Sequence, residues 1–280
     1  MGIQWYPGHM EKAKRAMMED IKLIDVVIEI LDSRAPHSCL NPQIETLANG
    51  KEMLIILNKA DLADENETAY WAEKFNEEGM KTLIINSKDR VGIKSIEGVI
   101  RELTAKKTER DRKRGIVNRP VRAMVAGIPN SGKSTFTNAY TKRAGAKTGN
   151  SPGVTRGKQW IRMGKNLELL DTPGILWPKI EEEAMGYNLA LIGSINDNIL
   201  DITDLSVYFI GVISAKGLNC LNDRYNITDL SDAHKVLEEI AVNTGAKKPG
   251  GETDTEKAAR TLLDDFRSGR LGRITIDSRG

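Results

Sequence analysis

An α/β architecture, a parallel sheet wrapped by helices and followed by a smaller all-helical domain, is predicted by three features of the sequence. Short apolar, β-branched runs alternate with amphipathic stretches through the first two thirds of the chain, as expected for strands covered on both faces by crossover helices. After about Pro178 the apolar residues change to helical spacing. A glycine-rich turn, Gly127-Ile128-Pro129-Asn130-Ser131-Gly132, separates an apolar run from a helix-forming segment. With 280 residues the chain has room for about one large domain and one small one.

In chain order, strands are expected at 26–31, 53–57, 82–85, 121–126, 159–163 and 167–170, with helices at 9–23, 42–48, 68–78 and 94–103 between them. The boundary is placed near Trp177-Pro178, giving domains 1–177 and 178–280. The second domain is read as helices at 182–195, 231–243 and 254–266. Ser231-Asp232 and Thr253-Asp254-Thr255-Glu256 set hydroxyls and acids where free helix N–H groups need acceptors, and the latter fits a capping box. Lys247 to Gly251 reads as a loop and residues 274–280 as a frayed end.

Composition removes several classes. The longest apolar runs, 24–31 and 207–213, are far shorter than the roughly 18 residues that span a bilayer, so no membrane partner is expected. Two distant cysteines, Cys39 and Cys220, suit a reducing cytoplasm and exclude a disulfide framework; with three scattered histidines, no zinc site is expected. The net charge of +2 conceals an asymmetry: residues 1–177 carry 29 Lys/Arg against 22 Asp/Glu, and 178–280 carry 12 against 17. Basic charge peaks between Lys106 and Arg114. Such a run either neutralises nucleic-acid phosphates or is a solvated helix face or linker.

Gly127 to Ser134 has the two glycines, lysine and hydroxyl of a phosphate-binding loop, after a strand and before a helix. Backbone N–H groups of Asn130, Ser131, Gly132 and Thr135 would converge on phosphates, Lys133 would supply a point charge, and Ser134 would ligate Mg²⁺. The strand at 167–170 runs into Asp171-Thr172-Pro173-Gly174. Asp171 suits water-mediated contact with Mg²⁺, and the Gly174 N–H suits a γ-phosphate oxygen. Asn58-Lys59-Ala60-Asp61 follows another strand. A carboxylate at Asp61 accepts from the ring N–H and exocyclic amine of guanine, a donor pair adenine lacks, so the ligand is read as GTP/GDP. Lys59 would lie along the base, Asn58 would tie loops together, and Asn86-Ser87 would offer a backbone N–H to the guanine carbonyl. Thr155, in Ser151-Pro152-Gly153-Val154-Thr155, is the candidate second Mg²⁺ ligand and γ-phosphate sensor.

The base-reading motif at 58 precedes the phosphate loop at 127, the reverse of signalling GTPases. The fold class is therefore a P-loop GTPase domain with circularly permuted motif order plus the helical C-terminal domain. The basic segment 104–119 is the natural joint between the old termini. Together with Trp5-Tyr6-Pro7-Gly8-His9-Met10 and Asp32-Ser33-Arg34-Ala35-Pro36, these motifs make the chain resemble the circularly permuted GTPases of ribosome assembly over nearly its whole length. The resemblance implies a GTP hydrolase acting in late maturation of the large ribosomal subunit, a C-terminal domain contacting rRNA, and no DNA partner. Ile175 occupies the place where signalling GTPases hold a water-orienting glutamine. The resemblance points instead to His9 as the catalytic group and to Asn130 as a holder of K⁺ near the phosphates. Two other readings share parts of this pattern. A P-loop kinase has no use for Asn58 to Asp61; an RNA-binding factor would bind GTP and hardly turn it over. Arg267, Arg270 and Arg273 form either a local RNA patch or a helix-terminal cluster favoured by the dipole.

Overall fold

A computed structural model describes residues 8–117, 119–144, 159–163, 166–177, 180, 182–196 and 199–279. The strands are β1 (Val26–Asp32), β2 (Glu52–Asn58), β3 (Lys81–Ile84), β4 (Val121–Ala126), β5 (Gln159–Met163) and β6 (Leu167–Asp171), in the spatial order β3-β2-β1-β4-β6-β5. All neighbours are parallel except β5, which is antiparallel to β6. The expectation of a parallel sheet fails at this edge because only residues 164–166 join the two strands, too few for a crossover. β1 is buried along its whole length, as a central strand covered on both faces must be.

The helices are α1 (Gly8–Asp20), α2 (Pro36–Cys39), α3 (Pro42–Leu47), α4 (Glu65–Glu77), α5 (Ile96–Leu103), α6 (Ala105–Lys113), α7 (Lys133–Ala144), α8 (Glu183–Leu191), α9 (Ile202–Ala215), α10 (Cys220–Tyr225), α11 (Ala233–Asn243) and α12 (Thr255–Ser268). Several starts move because acids, not hydroxyls, do the capping. Asp64 accepts from Glu67 N, so α4 begins three residues before the expected Thr68. Asp232 and Asp254, in place of Ser231 and Thr253, cap α11 and α12. The joint is helical: α6 carries the basic run and has no buried residue.

One core lies between β1/β2 and α5/α7, built on Ile28, Ile30, Ile56 and Phe136. On the opposite face Leu31, Ile55 and Leu57 join Trp71 and Phe75, and the same apolar cluster continues through Trp177 into Phe209, Leu262 and Phe266. The helical half thus packs directly onto the sheet. Its end is not frayed. Ile274 and Ile276 are buried, their N–H groups donate to Leu62 O and Arg34 O, and Asp277 accepts from Ser38 N and Oγ. Apolar residues at 274 and 276 find their pocket on the first half of the chain, a contact that local sequence does not announce.

Candidate functional site

The carboxyl ends of the parallel strands bring the predicted motifs together, where open α/β sheets bind ligands. Gly132 has φ +97°, in the left-handed region, and a Cβ there would strike Asn58 Nδ2. The close approach serves a bond: Asn58 Nδ2 donates to Ser131 O at 3.1 Å while Asn58 Oδ1 accepts from Ser87 N at 3.1 Å. One buried side chain thereby joins the phosphate-type loop to the Asn86-Ser87 turn. Lys59 Nζ donates to Asn130 O at 2.6 Å and pairs with Asp32 Oδ2 at 2.8 Å. Asp61 lies half-buried two residues on, in a turn anchored by Ala60 N to Ile85 O. Asn86 is held by reciprocal bonds with Asp89.

Lys133 opens α7 with its ammonium buried, donating to Ile128 O at 2.7 Å. Burial pulls its pKa down to about 8, against the opposing attraction of Asp171. A cation kept dry in this way is set up for an anionic ligand. Ser134 is half-buried and Thr135 exposed on the next positions, and Ser131 is fully buried. A Cβ on Gly174 would come within 2.8 Å of both Lys133 Nζ and Pro129 N, so the turn after Asp171 sits directly on the loop. Ser134 and Asp171 are hard oxygen donors beside it, a set that fits Mg²⁺. Ile175 is fully buried, donates to Gly127 O and accepts from Asn41 Nδ2; it faces the core and cannot orient a water. His9 falls in the first turn of α1, but its side chain lies outside the described residues, as does Thr155.

Two features of the site go beyond what the sequence predicts. The first is an ionic chain beneath Lys59. Asp32 is fully buried, and Arg34 bonds it through Nε (2.9 Å) and Nη2 (2.7 Å). Burial alone would raise the Asp32 pKa, yet the charges of Arg34 and Lys59 hold it well below the usual carboxylate range. The Asp32-Ser33-Arg34 motif was the available signal. The second is the 192–196 loop after α8, which forms the far wall of a cleft of about 1020 Å³ over Lys59 and residues 130–135. Asn130 Nδ2 donates to Gly193 O at 2.5 Å and Ser194 Oγ to Pro129 O at 2.8 Å. Nothing in the residue types of that loop announced it.

The arginines read as a local RNA patch are committed internally. Arg267 donates to Ala190 O and Leu191 O, Arg270 to Asp265, and Arg273 pairs with Glu65. Arg267 ties α12 to α8 and Arg273 reaches the first half, while Arg270 pairs within the end of α12; Arg267 also lies in the last turn of α12, where the helix dipole favours a cation.

Residues 122–243 match the family described as 50S ribosome-binding GTPase. The chain is 42% identical over 279 residues to ribosome biogenesis GTPase A of Bacillus cereus, covering 99% of this chain and 94% of that one. It is 30% identical to the protein of the same name from Thermotoga maritima, covering 98% and 94%. The crystal structure of GNP-bound YlqF from T. maritima superimposes with a TM-score of 0.66 at 26% identity, covering 95% and 97%. Fold, motif order and similarity together define a P-loop GTPase with circularly permuted motifs, an enzyme that binds and hydrolyses GTP. The chain belongs to the ribosome biogenesis GTPase A family and has a role in ribosome assembly.

Proposed function

We propose that this GTPase is a timed switch in late assembly of the large ribosomal subunit, acting in the cytoplasm and binding rRNA through its helical C-terminal domain. The observation that carries the switch is a pair of bonds with the phosphate-type loop: Gly193 O accepts from Asn130 Nδ2 and Ser194 Oγ donates to Pro129 O. Any shift of that loop with bound nucleotide is transmitted to the helical half, while Gly174 rests on the same loop. Guanine is read by Asp61, with Lys59 along the base and the Asn86-Ser87 turn at its carbonyl. The phosphates are held by residues 130–135, and Gly174 senses the γ-phosphate.

Ser134, Asp171 and Thr155 are the residues assigned to Mg²⁺, which when bound neutralises developing charge on the phosphates. Asn130 commits its amide N–H to Gly193 O, leaving Oδ1 for a K⁺ ion. His9 is assigned the catalytic role of positioning the attacking water. Equal turnover in K⁺ and Na⁺ would remove the K⁺ assignment. Undiminished single-turnover hydrolysis by a His9→Ala protein on ribosomal particles would remove the histidine.

The deciding experiment measures GTP hydrolysis with and without purified large-subunit particles. Acceleration by those particles, and not by small-subunit particles, is expected; indifference to both would overturn the switch. Competition between GTP and ATP separates the kinase reading, which requires ATP preference and a phosphorylated small molecule.

A further inference from the structure

The basic surplus of the first half is concentrated in one short element. Residues 104–119 carry seven Lys/Arg and two acids, while the whole of 1–177 has a surplus of seven. Within it, the nine-residue helix α6 carries five of those cations and both acids and has no buried residue. Apolar packing therefore does not explain its presence. It is tethered by polar contacts along one side: Lys107 and Arg119 pair with the buried Asp25, and Arg119 also reaches Asp111. At 100° per residue, Lys106, Arg110 and Lys113 then form a stripe about 110° around the helix from Lys107 and Asp111, on a flank clear of the tether. All three are exposed. Lys113 has only a solvent-exposed i,i+4 pair with Glu109, and Lys106 and Arg110 have no acidic partner among the described residues.

We infer that α6 is an RNA-docking surface whose Lys106, Arg110 and Lys113 stripe contacts backbone phosphates of the RNA in the assembling particle. The inference rests on the ribosomal partner proposed above and assigns the electrostatic part of that contact to this helix. Charge complementarity selects the occupant. The stripe spans about 10 Å at 1.5 Å per residue, long enough to meet successive phosphates of an RNA strand. The helical half, assigned rRNA contact above, carries a net excess of acid, and its Arg267, Arg270 and Arg273 already have protein partners, so the electrostatic share of the contact falls to α6. α6 leads into the amino end of β4, at the opposite end of the sheet from the phosphate loop, so its charges do not serve the nucleotide.

The test is co-sedimentation of the full-length protein with large-subunit particles, and with protein-free large-subunit rRNA, across a KCl series. The K106Q/R110Q/K113Q protein keeps good helix formers and changes no residue of the nucleotide site; its thermal unfolding and basal GTPase should match the wild type. Because three cations no longer meet phosphate, affinity should fall by roughly 10²-fold and the slope of log K against log[KCl] should flatten by about 2–3 on both substrates. Unchanged affinity and slope in the variant, with the wild type binding, would overturn the α6 assignment alone. A weakening seen on particles and absent on naked rRNA would also overturn it, pointing to an acidic ribosomal protein. Failure of the wild type to bind either substrate would bring down the ribosomal reading itself.

Discussion

The nucleotide edge of the sheet and helix α6 use charge in opposite ways. At the edge, Lys133, Asp32 and Arg34 are buried, and each is satisfied by partners a few ångströms away. On α6, Lys106 and Arg110 are exposed and have no acidic partner among the described residues. Buried charge is costly to create and fixes geometry; exposed charge is cheap, screened within about 10 Å, and useful for attraction at a distance. The difference separates a site built for one small ligand from a surface suited to a large polyanion, and substitutions should divide along the same line.

The largest effect is expected from Lys133→Ala. Removing the buried ammonium deletes a charge-assisted contact to phosphate in a dry pocket. Titration with a fluorescent GDP or GTP analogue should show affinity reduced by roughly 10³-fold, with the melting temperature of the ligand-free protein little changed. Near-normal nucleotide binding would mean that the buried lysine does not touch phosphate, and the contrast with α6 would collapse.

Arg34→Ala should act on the fold before the ligand. It leaves the buried Asp32 with Lys59 as its remaining cation, so the loss should approach the roughly 3–5 kcal/mol of a broken buried pair without exceeding it. The same change frees Arg267 O, which accepts from Arg34 Nη1 at 3.2 Å, so α12 should loosen with it. Chemical denaturation and amide exchange in α12 would measure both. A variant as stable as the wild type would show that the Asp32 chain is incidental.

Why the sequence revealed one part of this edge and hid the other follows from what each part is made of. Asn58, Lys59, Asp61 and Lys133 are legible because recognition of base and phosphate demands those residue types at those spacings. β1 and β2 are legible because strands covered on both faces must be apolar throughout. The 192–196 loop is invisible because it works through the backbone carbonyl of Gly193 and a commonplace serine. Residues 274–280 read as frayed because the partners of this segment are distant: Asp277 accepts from Ser38, 239 positions earlier, and from Asn188 Nδ2. Asp277→Ala should therefore cost about 1–3 kcal/mol by stranding buried donors, read as a lowered denaturation midpoint. Nucleotide affinity should stay the same, which sets this clasp apart from the site above it.

The smallest and most diagnostic change lies on β1, where two buried carboxyls three residues apart meet opposite fates. Asp32 has two cations and stays ionised. Glu29 has no cation among the described residues; its Oε1 accepts from Asn41 N at 3.0 Å and its Oε2 has no hydrogen-bond partner among them. Burial pushes its pKa up to about 8, only partly countered by the Asn41 bond. Between about pH 4.5 and pH 8 the unfolded chain releases this proton and the folded chain keeps it, so this group's contribution makes the fold less stable as pH rises through that window. Glu29→Gln keeps the acceptor for Asn41 N and removes the titration. The variant should gain stability over the wild type at pH 7.5, by about 1 kcal/mol or more, and much less at pH 5. A difference between the two proteins that is flat across this range would show that Glu29 is ionised in the fold, and that an unseen cation reaches the centre of the sheet.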